Sequence, residues 1–423
     1  MSDRPPSVDR LARSLRASGL PHPVLVDLAR RLIADGTTDM AETEANRVRR
    51  RLLTPVINGT GVLLHTNLGR APVAVDHEAT FSNLELDLET GERGSRQAGI
   101  GSLLATATGA EAAMVVNNGA AAVMLVLAAL AAGKRAAVSR GELVEIGGGF
   151  RIPDVMVQSG AGLVEVGTTN RTRLADFQRA IDAHDDLEVV LHVHKSNYEI
   201  VGFTESVGID ELATLDAIVV ADIGSGYLDA ACPWLDGPPP SWLANEPAAR
   251  QSLDAGADLV IFSGDKLFGG PQAGIIAGRA DLVAACGRHP LARALRPGSL
   301  VLDALQTTTL AYLDRRGTDI PFWRMVATPT AELRVRAEAI AATTAGSWIV
   351  VDTRAVPGGG TLPGTTFASV GLSRPGDHRS SLRSGERPLI ARIENGSTII
   401  DLRTIDANDD PAVIAALAAT GDR

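Results

Sequence analysis

The sequence predicts an α/β protein built on a mostly parallel sheet. Two observations carry that expectation. Short, almost wholly apolar runs alternate with helical stretches between about residues 56 and 296. Apolar strands separated by helices are what a sheet covered on both faces requires. Two turns of mostly small residues, at Asn118-Gly-Ala120 and Ser263-Gly-Asp-Lys266, follow such runs directly. Open α/β sheets bind ligands at the carboxyl ends of their strands, where both turns fall.

The first 53 residues read as a separate helical unit. Ser7 is placed to cap a helix carrying Leu11 and Leu15. Pro23 opens a second, with Leu25, Leu28, Leu32 and Ile33 on one face and Gly36 at its end. A third runs from about Met40 into Arg47, Arg49, Arg50 and Arg51. The unit holds ten arginines against seven acidic residues, in a chain whose net charge is −10. Such asymmetry suits a module facing a polyanion, and equally a small docking domain with a solvated charged face.

Strands are expected at residues 112–116, 136–139, 155–157, 163–166, 189–193, 217–221 and 259–263. A helix with Leu302, Leu305 and Leu310 on its apolar face follows. A smaller α/β region comes next, with strands at 348–352, 366–370, 389–393 and 398–402 and a glycine-rich loop over 356–364. The expected domains are therefore a helical unit at 1–53, a large sheet domain at 54–300 and a small α/β domain at 301–423.

Composition excludes several classes. Aromatics are only 4%, too few for broad stacking surfaces on single-stranded nucleic acid. Cys232 and Cys286 lie far apart, which predicts neither a zinc site nor a disulfide framework. His192 and His194 share one side of a strand without an evident third ligand, so no metal is expected. The N-terminus lacks a signal peptide's apolar core, and the longest apolar stretch, 119–133, falls short of the roughly 20 residues a membrane helix needs. A soluble cytoplasmic chain is expected.

The chain has only three lysines, Lys134, Lys195 and Lys266. Lys266 appears in a small-residue turn just past a buried strand. Lysine forms imines once burial or a nearby cation frees its amine, and arginine does not. Lys266 is therefore the candidate Schiff-base lysine for pyridoxal phosphate. Asp222 ends another apolar run, where a carboxylate can pair with the cofactor's ring nitrogen. Gly224, Ser225 and Gly226 leave room for a flat ring. Asn118, Gly119 and Ala120 open a long apolar helix whose amides suit the phosphate, and Ser263 adds a hydroxyl. Arg293 and Arg296, i and i+3 if helical, present two forks to an oxyanion, with Arg70 as a third candidate.

Taken together, these residues resemble bacterial selenocysteine synthase, the L-seryl-tRNA(Sec) selenium transferase family. The resemblance runs over nearly the whole chain. It is carried by Pro6-Ser-Val-Asp-Arg-Leu11, by Ile57-Asn-Gly-Thr-Gly-Val-Leu-Leu-His-Thr-Asn-Leu-Gly-Arg70 and by Asn83-Leu-Glu-Leu-Asp-Leu-Glu-Thr-Gly-Glu-Arg-Gly-Ser-Arg96. It continues through Ser139-Arg-Gly-Glu-Leu-Val-Glu-Ile-Gly-Gly-Gly-Phe-Arg-Ile-Pro153, Ser196-Asn-Tyr-Glu-Ile-Val-Gly-Phe203 and the Lys266 turn. The resemblance implies fold type I of pyridoxal phosphate enzymes, a homodecamer built of dimers and an N-terminal domain that binds tRNA. It implies that seryl-tRNA(Sec) becomes selenocysteinyl-tRNA(Sec), through an aminoacrylyl-tRNA intermediate, with selenophosphate as donor. It further implies that Lys266 carries the cofactor and that Arg70, Arg293 and Arg296 hold the donor. The chain's ends look short for the family, and Lys195 stands where a small or neutral residue is expected. A lyase or aldolase of the same fold, acting on a small amino sugar or amino acid without tRNA, is the alternative.

Overall fold

The computed structural model describes residues 6–74, 80–146, 149–196, 198, 202–344 and 346–420. The first five residues, the two glycines 147 and 148, Asn197 and residues 199–201 belong to expected features but lie outside the described residues.

The N-terminal unit is a bundle of α1 (Val8–Ser14), α2 (His22–Ala34) and α3 (Ala41–Arg51). Ser7 caps α1 by accepting a hydrogen bond from the Arg10 amide, and Pro23 sits in the first turn of α2. Gly36, at φ 68°, follows the end of α2 in the left-handed region that glycine adopts without a Cβ clash. Leu11, Leu15, Leu25, Leu28, Leu32 and Ala45 close a core that draws only on this segment. Arg49, Arg50 and Arg51 fill the last turn of α3, where their charge complements the helix dipole.

The central sheet has seven strands, labelled in chain order β1 (Ala112–Val116), β2 (Arg135–Ser139), β3 (Gly162–Val166), β4 (Leu187–Val193), β5 (Ile218–Gly224), β6 (Leu259–Ser263) and β7 (Gly274–Gly278). Their order across the sheet is β1-β7-β6-β5-β4-β2-β3. The pairings from β6 to β3 are parallel, while β7 runs antiparallel to both β6 and β1. Successive residues of a strand feed opposite cores. Val260 and Phe262 face the side covered by α4 (Ala98–Thr108) and the helix Ser299–Leu313. Leu259 and Ile261 face the side covered by α5 (Gly119–Leu130) and α6 (Ile152–Ser159). Leu125, Val126 and Leu127 of α5 are fully buried, each contributing roughly 1.5–3 kcal/mol.

Three expectations are corrected. The strand expected at 155–157 is instead part of α6: Pro153 sits in its first turn and Gly160 ends it in the left-handed region. Helical spacing buries Val155 and Met156 and leaves Val157 66% exposed, which an inward-facing strand would not do. β7 was not expected from the sequence. Leu310 lies outside the buried face of its helix, which Leu302 and Leu305 do occupy.

The C-terminal region is a four-stranded antiparallel sheet in the order Ile349–Ala355, Phe367–Pro375, Ser397–Asp401, Arg392–Glu394. The strand expected at 389–393 is split at Ala391. Its first half, Leu389–Ile390, pairs in parallel with Ile57–Asn58. Asp401, fully buried, accepts hydrogen bonds from Thr353 Oγ1, Ser369 Oγ and the Arg403 amide. Among the described residues no helix is long and apolar enough to cross a membrane.

Candidate active site

β5 and β6 end side by side, and their ends build the site. Asp222 pairs in register with Ile261 on β6 and Val193 on β4. The register then slips between Asp222 and Gly224, a bulge of the kind that re-aims chain next to active sites. Gly224 has φ 64° and its amide donates to Asp222 Oδ1 at 3.1 Å. Asp222 and Lys266 are both more than nine-tenths buried. Burial pushes the Asp222 carboxyl up to about 6, against the pull of Lys266, His194 and His192. Burial likewise lowers the Lys266 amine; the Asp222 carboxylate opposes this and Arg70 adds to it. Each group is thus displaced toward its neutral form.

The surroundings of the amine fit pyridoxal phosphate. A Cβ added at Gly224 would stand 3.7 Å from Lys266 Nζ, and one at Gly360, in the glycine-rich loop of the C-terminal region, 3.6 Å. A side chain at either position would occupy the space that a flat ring needs. Ser225 Oγ is buried without a hydrogen-bond partner. At the start of α5 the Asn118 side chain is committed to capping the helix, accepting from the Ala121 amide at 2.8 Å. The first-turn amides of Gly119 and Ala120 point to the same helix end. Ser263 Oγ lies beside it, 2.6 Å from where a Gly119 Cβ would be.

Other buried charges surround this centre. Arg70, held at φ 61°, donates from Nη1 to Asp265 at 2.9 Å, and the Ala71 amide donates to the Asp265 carbonyl. Glu142 accepts from the Val193 amide and lies 3.0 Å from His192 Nδ1. Burial alone would lower the His192 imidazole, but the Glu142 carboxylate outweighs it and raises the group. His194 Nε2 is 3.6 Å from Glu246 Oε2. His192 and His194 are therefore walls of this site, and among the described residues no cluster could hold a metal. The sequence reading missed Asp265, Glu142, Glu246 and Gly360. Asp265 adjoins the lysine and was findable; the other three acquire their roles only through contacts between distant segments.

Arg293 and Arg296 do not join Lys266 within one chain. The helix there spans only Pro290–Ala294, so Arg296 lies beyond it and the helical-face argument fails. Pro297 follows directly and disfavours helix at position 296. Both arginines nevertheless line one open cavity of about 870 Å³ with Arg93, Arg96 and Glu85, and neither Lys266, Asp222 nor Arg70 is on its wall. Glu85 pairs with Arg93, Arg96 and Arg296, and the first two hold its carboxyl below the usual range.

Residues 56–406 match the family model of L-seryl-tRNA selenium transferase. The chain belongs to this family. The L-seryl-tRNA(Sec) selenium transferase of Geobacter metallireducens is 44% identical over 92% of this chain and 88% of its own. That of Geobacter sulfurreducens is 43% identical over 97% and 91%. Among solved structures, a D-glucosaminate-6-phosphate ammonia-lyase covers 87% of this chain and 96% of its own at a TM-score of 0.58. At 21% identity that likeness shows the family member's fold and nothing more.

Proposed function

We propose that the chain converts L-seryl-tRNA(Sec) to L-selenocysteinyl-tRNA(Sec), using pyridoxal phosphate bound at Lys266 and selenophosphate as the selenium donor. The observation that carries this reading is the buried Lys266 amine beside Asp222 at the sheet's carboxyl edge, in a chain of this family. The small-molecule lyase alternative rests on likeness of fold alone.

Each residue then has a task. Lys266 Nζ would hold the cofactor and, as a free amine, is placed to take the proton from the seryl α-carbon. Its lowered basicity keeps a neutral fraction available for that transfer. Asp222 would pair with the ring nitrogen, and a positive charge there would oppose the burial effect on its carboxyl. The start of α5 and Ser263 Oγ would bind the phosphate, and Ser225 Oγ, buried without a partner, would be left to meet the cofactor. Bound pyridoxal phosphate supplies the electron sink that makes the α-proton removable. The net change replaces the β-hydroxyl by selenium and releases phosphate. Arg70, held by Asp265, stands at the reacting end. Arg293 and Arg296 bind the donor and reach the reaction from a second subunit of a homodecamer built of dimers.

Residues 1–53 serve as the tRNA-binding domain, 54–300 as the cofactor domain and 301–423 as the small domain of a cytoplasmic enzyme. Exposed Arg47, Arg49, Arg50 and Arg51 supply phosphate contacts. Formation of selenocysteinyl-tRNA from seryl-tRNA and selenophosphate by the pure protein tests the reaction. Deleting residues 1–50 should leave the cofactor bound while tRNA affinity collapses; unchanged affinity would make the bundle structural.

A further inference from the structure

Beside the lysine lies a second cavity, of about 380 Å³, within the roughly 300–1,000 Å³ typical of small-molecule sites. It shares Glu246 and the loop of Gly360 and Leu362 with the surroundings of Lys266, and His194 with those of Asp222. Glu246 is 92% buried, yet its Oε1 has no hydrogen-bond partner. A buried lone pair in that state calls for a donor from the occupant. Trp242 lines the same cavity, its ring fixed by Trp323 at 6.3 Å and edge-on to Phe367 at 5.1 Å. Lys195 and Arg171 add positive charge to the wall, whose other carboxylates, Glu142 and Glu205, are paired with His192 and Arg173.

We propose that this cavity seats the terminal nucleoside of the aminoacyl-tRNA, the one esterified to the seryl group. The inference rests on the reaction proposed above. An amino acid joined through an ester presents no free carboxylate, but it brings a ribose hydroxyl next to the ester. Glu246 Oε1 accepts from that 2′-hydroxyl. Trp242 offers the base a rigid apolar flank. Lys195 and Arg171 meet the phosphodiester that follows. This gives a task to a lysine that the chemistry at Lys266 does not use.

The test is titration of the cofactor-loaded enzyme with 3′-(L-serylamino)-3′-deoxyadenosine, an amide mimic of the seryl nucleoside, and with its 2′-deoxy counterpart. Cofactor absorbance reports binding and also shows that each variant is folded. The unaltered enzyme should bind the 2′-hydroxyl form roughly tenfold more tightly, as expected for one hydrogen bond to a charged acceptor. Glu246→Ala should bind both forms alike, at the affinity of the deoxy compound. Equal affinities in the unaltered enzyme, or discrimination that survives in Glu246→Ala, would overturn the proposal. If Glu246→Ala cannot hold the cofactor, Glu246→Gln decides: reduced discrimination supports the contact and undiminished discrimination overturns it. The same enzyme is assayed for selenocysteinyl-tRNA formation. Discrimination without that product overturns the reaction and leaves the nucleoside site standing, whereas product without discrimination does the reverse.

Discussion

The Lys266 centre and the Arg293–Arg296 cavity place their charges in opposite settings. Lys266 and Asp222 are 4% and 8% exposed, whereas the Arg296 side chain is 31% exposed and Arg293 is exposed. In the first setting the low dielectric displaces both groups toward neutrality, which suits moving protons. In the second, three guanidinium groups gather around Glu85 at an open wall, which suits capturing and releasing an anion. The two settings suit different tasks, and a single environment could not provide both.

The largest expected effect is at the buried centre. Lys266→Ala should lower turnover by roughly 10²–10⁴-fold, the usual loss on removing a catalytic acid–base group. Borohydride reduction and peptide mapping of the unaltered protein should place the pyridoxyl label on Lys266. Label on Lys134 or Lys195 would dissolve the contrast between the two regions.

Next comes Asp222→Ala, which should keep the cofactor bound but slow α-proton exchange by roughly 10²-fold. Near-normal exchange, followed by deuterium incorporation, would remove Asp222 from the chemistry.

Arg293→Ala and Arg296→Ala should each raise KM for selenophosphate roughly tenfold while sparing α-proton exchange. Equal loss of both readouts would point to assembly instead of donor binding.

The smallest effect sharpens the comparison through pH. Cofactor uptake needs the neutral amine, so its rate rises with pH through the Lys266 pKa, which lies below the ordinary lysine value. Arg70 pushes that pKa down, so Arg70→Ala should move the midpoint to higher pH. Asp222 pushes it up, so Asp222→Ala should move the midpoint to lower pH. Shifts in the same direction would show that the two charges do not act on this amine.

Lys266 and Asp222 were legible in the sequence because each is a charged residue at the end of an apolar run, and in a parallel sheet such a run has one place to end. Asn118 was legible as a strand-to-helix turn, although its side chain caps the helix. The three residues at 155–157 misled because so short an apolar run fits a strand and a helix equally, and Pro153 and Gly160 decide between them. β7 is a five-residue strand bounded by glycines, and nothing local distinguishes it from a loop. Glu142 and Glu246 were invisible because a carboxylate's burial depends on residues more than fifty positions away. Arg293 and Arg296 share one cavity wall, but the helical face expected for them does not exist, because the helix stops at Ala294.

The short pairing of Ile57–Asn58 with Leu389–Ile390 bears on how the protein is made. The N-terminal bundle closes its core within its first fifty residues, so local contacts let it form early in synthesis. Its anchor does not yet exist: the strand that receives Ile57, and Ser384, whose carbonyl accepts from Arg50, emerge more than three hundred residues later. The glycine loop over Lys266 is equally late. On the ribosome, the basic helices are therefore finished long before the centre at Lys266 is complete. Registration between the two is fixed only when the last tenth of the chain is released.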